Sequence, residues 1–174
     1  MSKRVSVYLA APLSQAKRMQ DVAEHLRIAG YVIASNWQDT ADNLIDPTDP
    51  SVRASIWIDN TADLNAADIL FLDTTQGVPK CALVELGMAL AQGKRVCWMQ
   101  KADGSDTNVS DASALVRVVR AWSSVLPALS AFAQELGESP SATRLRMPST
   151  PAAEASGAFK AANDILAGVR KAAR

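Results

Sequence analysis

The chain has 174 residues, of which 48% are hydrophobic and 21% charged, a length that suits one globular domain with a tail. Its 18 Lys and Arg residues balance 18 Asp and Glu residues, so no global field attracts a polyanion and duplex DNA or RNA is disfavoured as a partner. No apolar run approaches the roughly 18 residues of a membrane span, and without a secretory leader we expect a cytoplasmic protein whose Cys81 and Cys97 are reduced and buried.

The first part of the chain alternates strand and helix signals. The apolar run Val5–Ala11 predicts a buried strand, and Ser14 is the expected N-cap of a helix that continues to about Ala29. Tyr31–Ser35 predicts a second strand. The polar segment Gln38–Pro50 is typical of a long loop.

The alternation continues through six more segments. They are a helix over 51–66, strands at Asp68–Asp73, Lys94–Met99 and Leu115–Val119, and helices at Lys80–Gln92 and Ser123–Leu136. Strands and helices at this spacing predict an α/β domain over residues 1–137. We expect a doubly wound, flavodoxin-like or Rossmann-like parallel sheet of five strands with helices on both faces.

Residues 138–174 have a different composition. A linker rich in Pro, Ser and Ala precedes a predicted helix with an apolar stripe at Phe159, Ala162, Ile165, Leu166 and Val169. A lone helix with an apolar face needs a partner surface. That surface is either the chain's own domain or a neighbouring subunit.

Glu85 is the only charged residue in the twelve-residue segment CALVELGMALAQ, from Cys81 to Gln92. An ionised carboxylate in an apolar helix is costly unless something pairs with it or uses it. Either Glu85 is the solvent-facing position of its helix, or it belongs to a site. The helix starts just beyond the third strand, and parallel sheets place their sites at the carboxyl ends of strands.

His25 is the single histidine of the chain. Metal motifs with two histidines are therefore impossible, and Cys/His zinc sets lack ligands. We interpret His25 as a helix surface residue and expect neither a metal nor a cofactor. The chemistry then depends on carboxylates, hydroxyls and amides.

From Val5 to about Met99 the chain resembles the nucleoside 2-deoxyribosyltransferase family, which includes deoxynucleoside 5′-monophosphate N-hydrolases and cytidylate N-glycosidases. The matching segments are VYLAAPL, YVIASNW, DNTADLNAADILFLD and ALVELGMALAQGKRV. The resemblance implies cleavage or exchange of the N-glycosidic bond of a small nucleoside or nucleotide. It also implies a homodimer or higher homo-oligomer whose sites borrow residues from the adjacent chain.

The resemblance assigns roles to individual residues. Glu85 matches the glutamate that attacks the anomeric carbon and forms a glycosyl-enzyme ester, and Tyr8 matches the hydroxyl that orients it. Trp37 matches an aromatic side chain that stacks on a base. Tyr8 and Trp37 are equally compatible with core positions, and Asp73 with either substrate contact or capping of a turn.

Two positions depart from the family pattern. The aspartate that many members carry eight residues before Asp68 is here Asn60, which can hydrogen-bond substrate but cannot act as an acid. Asp59 is the remaining candidate acid, although a shift of one residue on a helix rotates a side chain by about 100°. Pro79 replaces an acid six residues before the nucleophile. These departures also suit a nucleotide-binding module without turnover.

The first helix offers a candidate phosphate site. Ser14, Lys17 and Arg18 lie at its start, where backbone N–H groups favour anions. The alternative is an ordinary N-cap with solvated cations. We expect substrate contacts at the ends of the strands from Ala10, Pro12, Ser14, Arg18 and Gly77. A purely structural protein that uses its C-terminal helix remains a further alternative.

Overall fold

The computed structural model describes residues 4–40, 49–106 and 109–137. Five strands form one sheet: β1 (Ser6–Ala10), β2 (Val32–Ile33), β3 (Ile69–Asp73), β4 (Arg95–Met99) and β5 (Val116–Val119). Their spatial order is β2-β1-β3-β4-β5, and all neighbouring pairs are parallel. The predicted five-stranded parallel α/β fold is confirmed.

Five helices flank the sheet: α1 (Ala16–Ile28), α2 (Trp37–Thr40), α3 (Pro50–Ala66), α4 (Lys80–Ala91) and α5 (Val125–Glu135). α1 and α5 line one groove together, and α3 contacts α4. Short 3₁₀ turns occur at Leu13–Gln15, Val109–Ala112 and Trp122–Ser124. The strand order reverses between β1 and β3, and such a switch point opens a crevice at the carboxyl edge of the sheet.

The two central strands hold the core. Every residue of β1 and of β3 is buried, as expected for strands covered on both faces of a parallel sheet. Their register pairs Tyr8 with Leu70 and Ala10 with Leu72. The chain therefore leaves both strands at the same edge, beside the crevice.

Three local predictions are wrong. Ser14 is not the N-cap of α1. It lies in a 3₁₀ turn in which the Pro12 carbonyl accepts a hydrogen bond from the Gln15 N–H, and Gln15 is the N-cap of the helix. The second strand, at one edge of the sheet, keeps only two of the five predicted residues. The predicted loop after it begins as helix α2, in which Trp37 and Gln38 are buried.

Some predictions lie outside the described residues. These are residues 41–48 of the long loop, the Pro/Ser/Ala-rich linker, the C-terminal helix with its stripe from Phe159 to Val169, and the division of the chain at residue 137. Among the described helices, none is long and apolar enough to cross a membrane.

Gly93, two residues after the end of α4, has a φ of +69°. The Gly93 N–H donates to the Leu90 carbonyl at 3.0 Å and the Lys94 N–H donates to the Ala89 carbonyl at 2.9 Å. This pair of bonds is the Schellman ending, which needs a residue in the left-handed region.

Two alanine substitutions at glycines of this helix should change stability in opposite directions. A Cβ at Gly93 or at Gly87 meets no atom within 4 Å, so only backbone conformation counts. Gly93→Ala should lower the free energy of unfolding by about 1 kcal/mol. Gly87→Ala, inside the helix, should raise it by roughly 0.5–1 kcal/mol. Urea unfolding measures both, and a shift of the same sign in the two variants would contradict this description of α4.

Candidate active site

Glu85 lies in the second turn of α4 with only 6% of its surface exposed. Its neighbour Val84 is 50% exposed and occupies the solvent side of the helix. The interpretation of Glu85 as the solvent-facing position of an apolar helix is therefore wrong. Its carboxylate instead lines a cavity at the carboxyl edge of the sheet.

Tyr8 reaches this carboxylate from the sheet. Its side chain is fully buried in the middle of β1, and its hydroxyl donates a hydrogen bond to Glu85 Oε1 at 2.8 Å. Burial, followed by the negative charge of Glu85, raises the pKa of Tyr8 well above its usual range. The phenol therefore stays protonated and remains a donor throughout the physiological pH range.

The surroundings of Glu85 shift its ionisation toward neutral pH. Burial raises the pKa of the Glu85 carboxyl from 4.5 to about 7, while hydrogen bonds from Tyr8 and Asn60 lower it. Burial dominates, because hydrogen bonds to the charged form offset only part of the lost hydration. At neutral pH the carboxyl thus divides between an ionised and a protonated form.

α3 brings two further carboxyl groups to this region. The first, Asp59, lines the cavity and is exposed. The next residue along the helix, Asn60, is an amide that hydrogen-bonds Glu85. Asp63, one turn beyond Asp59, is half-buried, and burial raises its pKa to about 6 although the Asn36 backbone lowers it. Asp63 was not among the predicted site residues. Its i+4 spacing from Asp59 on a helix was the available signal.

The cavity has a volume of about 260 Å³. Its lining comes from the ends of β1 and β2, from α2, and from the facing sides of α3 and α4. The lining residues are Ala10, Ala11, Leu13, Asn36, Trp37, Thr40, Ile56, Asp59, Asn60, Pro79, Cys81, Ala82 and Glu85. Five of the predicted site residues line it: Ala10, Trp37, Asp59, Asn60 and Glu85, and Tyr8 supports Glu85 from behind.

Trp37 forms a fixed aromatic wall. Its indole Nε1 donates to the Leu9 carbonyl at 2.7 Å, and only 8% of the residue is exposed. The ring is thus held by a hydrogen bond at one edge while it lines the cavity. Such an aromatic surface suits a planar heterocyclic base.

Arg18 and Asp73 form an ion pair with each other, and neither lines this cavity. Asp73 is fully buried and pairs with the Arg18 guanidinium at 2.9 Å. Asp73 Oδ1 also accepts the N–H and the hydroxyl of Thr75, at 2.9 and 2.6 Å. The turn-capping alternative for Asp73 is the one that its contacts show. The Arg18 guanidinium lies 5.1 Å from the ring of Trp122, in the groove between α1 and α5.

The other predicted contacts lie outside the cavity lining. Pro12 and Ser14 belong to the 3₁₀ turn before α1, and Gly77 forms a turn with φ +123° between β3 and α4. Their substrate contacts stay predictions. Cys97 is buried as expected, but Cys81 is exposed in the first turn of α4 and lines the cavity, so its predicted burial is wrong.

His25 is exposed on α1, where its Nδ1 lies 2.7 Å from the Asp21 carbonyl. This surface position agrees with the interpretation of the sequence. Among the described residues no group of three or more His, Cys, Asp or Glu side chains is arranged to hold a metal ion.

Comparison with known proteins finds similarity to solved structures. No protein-family model matches the sequence, and no curated protein matches it significantly. The chain is similar to a solved structure of a CMP N-glycosidase from Clostridium botulinum, BcmB, at 19% sequence identity and a TM-score of 0.47, covering 66% of this chain and 86% of that chain. A similarity at this level identifies neither a substrate nor a reaction for this protein.

Tyr8→Phe should raise the pKa of Glu85 above its value of about 7, because the lost hydrogen bond stabilises the ionised form. Carboxyl ¹³C NMR of glutamate-labelled protein measures the titration. Tyr31→Phe is the matched control, since Tyr31 is also buried and its change should leave the Glu85 titration in place. An unchanged Glu85 titration in Tyr8→Phe would show that the hydroxyl does not act on the carboxylate.

Glu85→Gln should stabilise the fold at pH 8 and have little effect at pH 5. The pKa of Glu85 is about 7 in the fold against 4.5 when unperturbed, so its stabilising protonated form is fully present below 4.5 and lost as pH rises through 7. Neutral glutamine avoids this loss, which we expect to be worth on the order of 2 kcal/mol at pH 8. Denaturant unfolding at both pH values measures the gain, and an equal gain at pH 5 would contradict its electrostatic origin.

Proposed function

We propose that this protein cleaves or exchanges the N-glycosidic bond of a (deoxy)nucleoside or nucleotide with Glu85 as the nucleophile. One observation carries the proposal: a carboxylate that is 6% exposed lines a cavity while a buried phenol holds it at 2.8 Å. A half-dehydrated, oriented carboxylate is the group that a glycosyl transition state requires. The family resemblance of the sequence supplies the same assignment.

The reaction has two steps. An ionised Glu85 oxygen attacks C1′ of the sugar, the bond from C1′ to the base nitrogen breaks, and the base leaves with the electron pair. As that bond breaks, positive charge develops on C1′, and the carboxylate stabilises this charge. A water molecule or a second base then attacks C1′ and releases Glu85, which gives hydrolysis or transfer respectively.

The other cavity residues have matching roles. Tyr8 orients the Glu85 oxygen, and the flat face of Trp37 receives the base. Asp59 is the lining carboxyl group available to protonate the departing base, while Asn60 stabilises the ionised nucleophile. Because ionised Glu85 is the reactive form and its pKa is about 7, activity should rise as pH increases through that value.

A second candidate is a nucleotide-binding module with this pocket and no turnover. Asn60 and Pro79 favour it, since both line the cavity where the family resemblance expects acids. Ligand binding without release of base would distinguish this candidate from the enzyme.

We also infer a homodimer or higher homo-oligomer. Trp57 on α3 and Val84 on α4 are 40% and 50% exposed, which leaves apolar surface on the two helices that carry the site. The expected cytoplasmic location stays a prediction.

Glu85→Gln should lower base release by about 10³-fold or more, because an amide is a far poorer nucleophile than a carboxylate. The assay incubates nucleosides and 5′-monophosphates with and without an acceptor base and identifies products by mass spectrometry. Glu24→Gln, on the exposed side of α1, is the matched control and should keep full activity. Full turnover by Glu85→Gln, or none by the unmodified protein with any substrate, would refute the proposed reaction.

A further inference from the structure

The charged side chains that line the cavity, among the described residues, are acids. Asp59 and Glu85 line it, and Asp63 lies close enough for its charge to act on Tyr8. The lining residues among the described part of the chain include no Lys, Arg or His. The described lining of the cavity therefore carries acidic side chains and no basic one.

Arg18, the expected partner of a phosphate, is already engaged elsewhere. Its guanidinium pairs with buried Asp73 at 2.9 Å, donates to Thr75 Oγ1 at 3.0 Å and stacks over Trp122. Releasing it would leave the Asp73 carboxylate buried without its counter-charge, which is costly. Arg53 and Lys80, on the helices that carry Asp59 and Glu85, are exposed and outside the cavity lining.

One feature of the cavity favours an anion, but its partial charge is smaller than the charges of the lining carboxylates. Leu13, in the turn before α1, lines the cavity, and a helix N-terminus carries about half a positive charge. Two lining carboxylates, each with up to a full negative charge, outweigh it. The 5′-phosphate is attached to the same sugar whose C1′ Glu85 attacks. A bound monophosphate therefore holds its dianion near these acids.

We propose that the cavity accepts nucleosides and excludes their 5′-monophosphates. The inference rests on the proposed function for the identity of the ligand, but the charge selection is a property of the cavity alone. A phosphate beside Glu85 would also raise the pKa of the carboxyl further, because like charges disfavour ionisation. A monophosphate would thus bind poorly and weaken its own nucleophile.

Two measurements on the full chain test this proposal. The first compares base release from each nucleoside with that from its 5′-monophosphate, and kcat/KM should favour the nucleoside by at least about tenfold. The second compares binding of pseudouridine and pseudouridine 5′-monophosphate by calorimetry. Their carbon–carbon glycosidic bond cannot be cleaved in this way, so binding is measured apart from turnover.

Salt and two variants identify the cause of the difference. Raising the salt concentration from about 0.1 M to about 1 M shortens the Debye length from roughly 10 Å to 3 Å, so the gap between the two pseudouridine ligands should narrow. Asp59→Asn should reduce the ratio of the two affinities, for pseudouridine and for its monophosphate, by several-fold at low salt. Asp21→Asn, in the groove between α1 and α5, is the matched control and should leave the gap unchanged.

The outcomes separate this proposal from the proposed reaction. Absence of turnover with every substrate, together with tighter binding of pseudouridine than of its monophosphate, would refute the reaction and support the charge selection. A monophosphate that reacts or binds as well as its nucleoside would overturn the charge selection whatever the reaction. Failure of both pseudouridine ligands to bind would overturn it as well.

Discussion

The site depends on one buried pair, the Glu85 carboxylate and the Tyr8 hydroxyl. Burial makes the ionised carboxylate costly, and the hydrogen bond at 2.8 Å together with that from Asn60 returns part of the cost. The balance leaves a buried carboxyl group with a pKa of about 7, whose ionised form destabilises the fold. Destabilisation of this kind is typical of functional positions, where the charge is retained for its chemistry.

The sheet order makes this pair possible. Because β1 lies beside β3, the helix that follows β3 starts next to the carboxyl end of β1, and Glu85 meets a tyrosine that is 77 residues earlier in the chain. α3 approaches from the same side and adds Asn60. Three elements therefore converge on one carboxylate, each fixed by packing on the sheet. A second polar network pairs the fully buried Asp73 carboxylate with Arg18 and Thr75 and does not line the cavity.

Much of this arrangement can be predicted from the sequence, and the rest cannot for physical reasons. Apolar periodicity predicts the sheet, and a lone carboxylate in an apolar helix singles out Glu85. The ion pair of Arg18 with Asp73 depends on the register between α1 and the end of β3, which no local pattern encodes. Both residues individually suit a substrate contact. Asp63 was missed because its importance comes from burial beside Tyr8 and Asn36, a tertiary property.

The asparagine at position 60 affects the ionisation of Glu85. An aspartate there would place a second negative charge beside Glu85 and raise the pKa of its carboxyl further, whereas the neutral amide donates a hydrogen bond that lowers it. Asn60 thus favours the ionised form of Glu85 but, unlike an aspartate, cannot donate a proton to a leaving base. In the proposed reaction the proton donor to the leaving base is Asp59, which is exposed and lines the cavity. Bases that leave readily as anions, or that already carry a proton, are the ones that such a division of roles serves best.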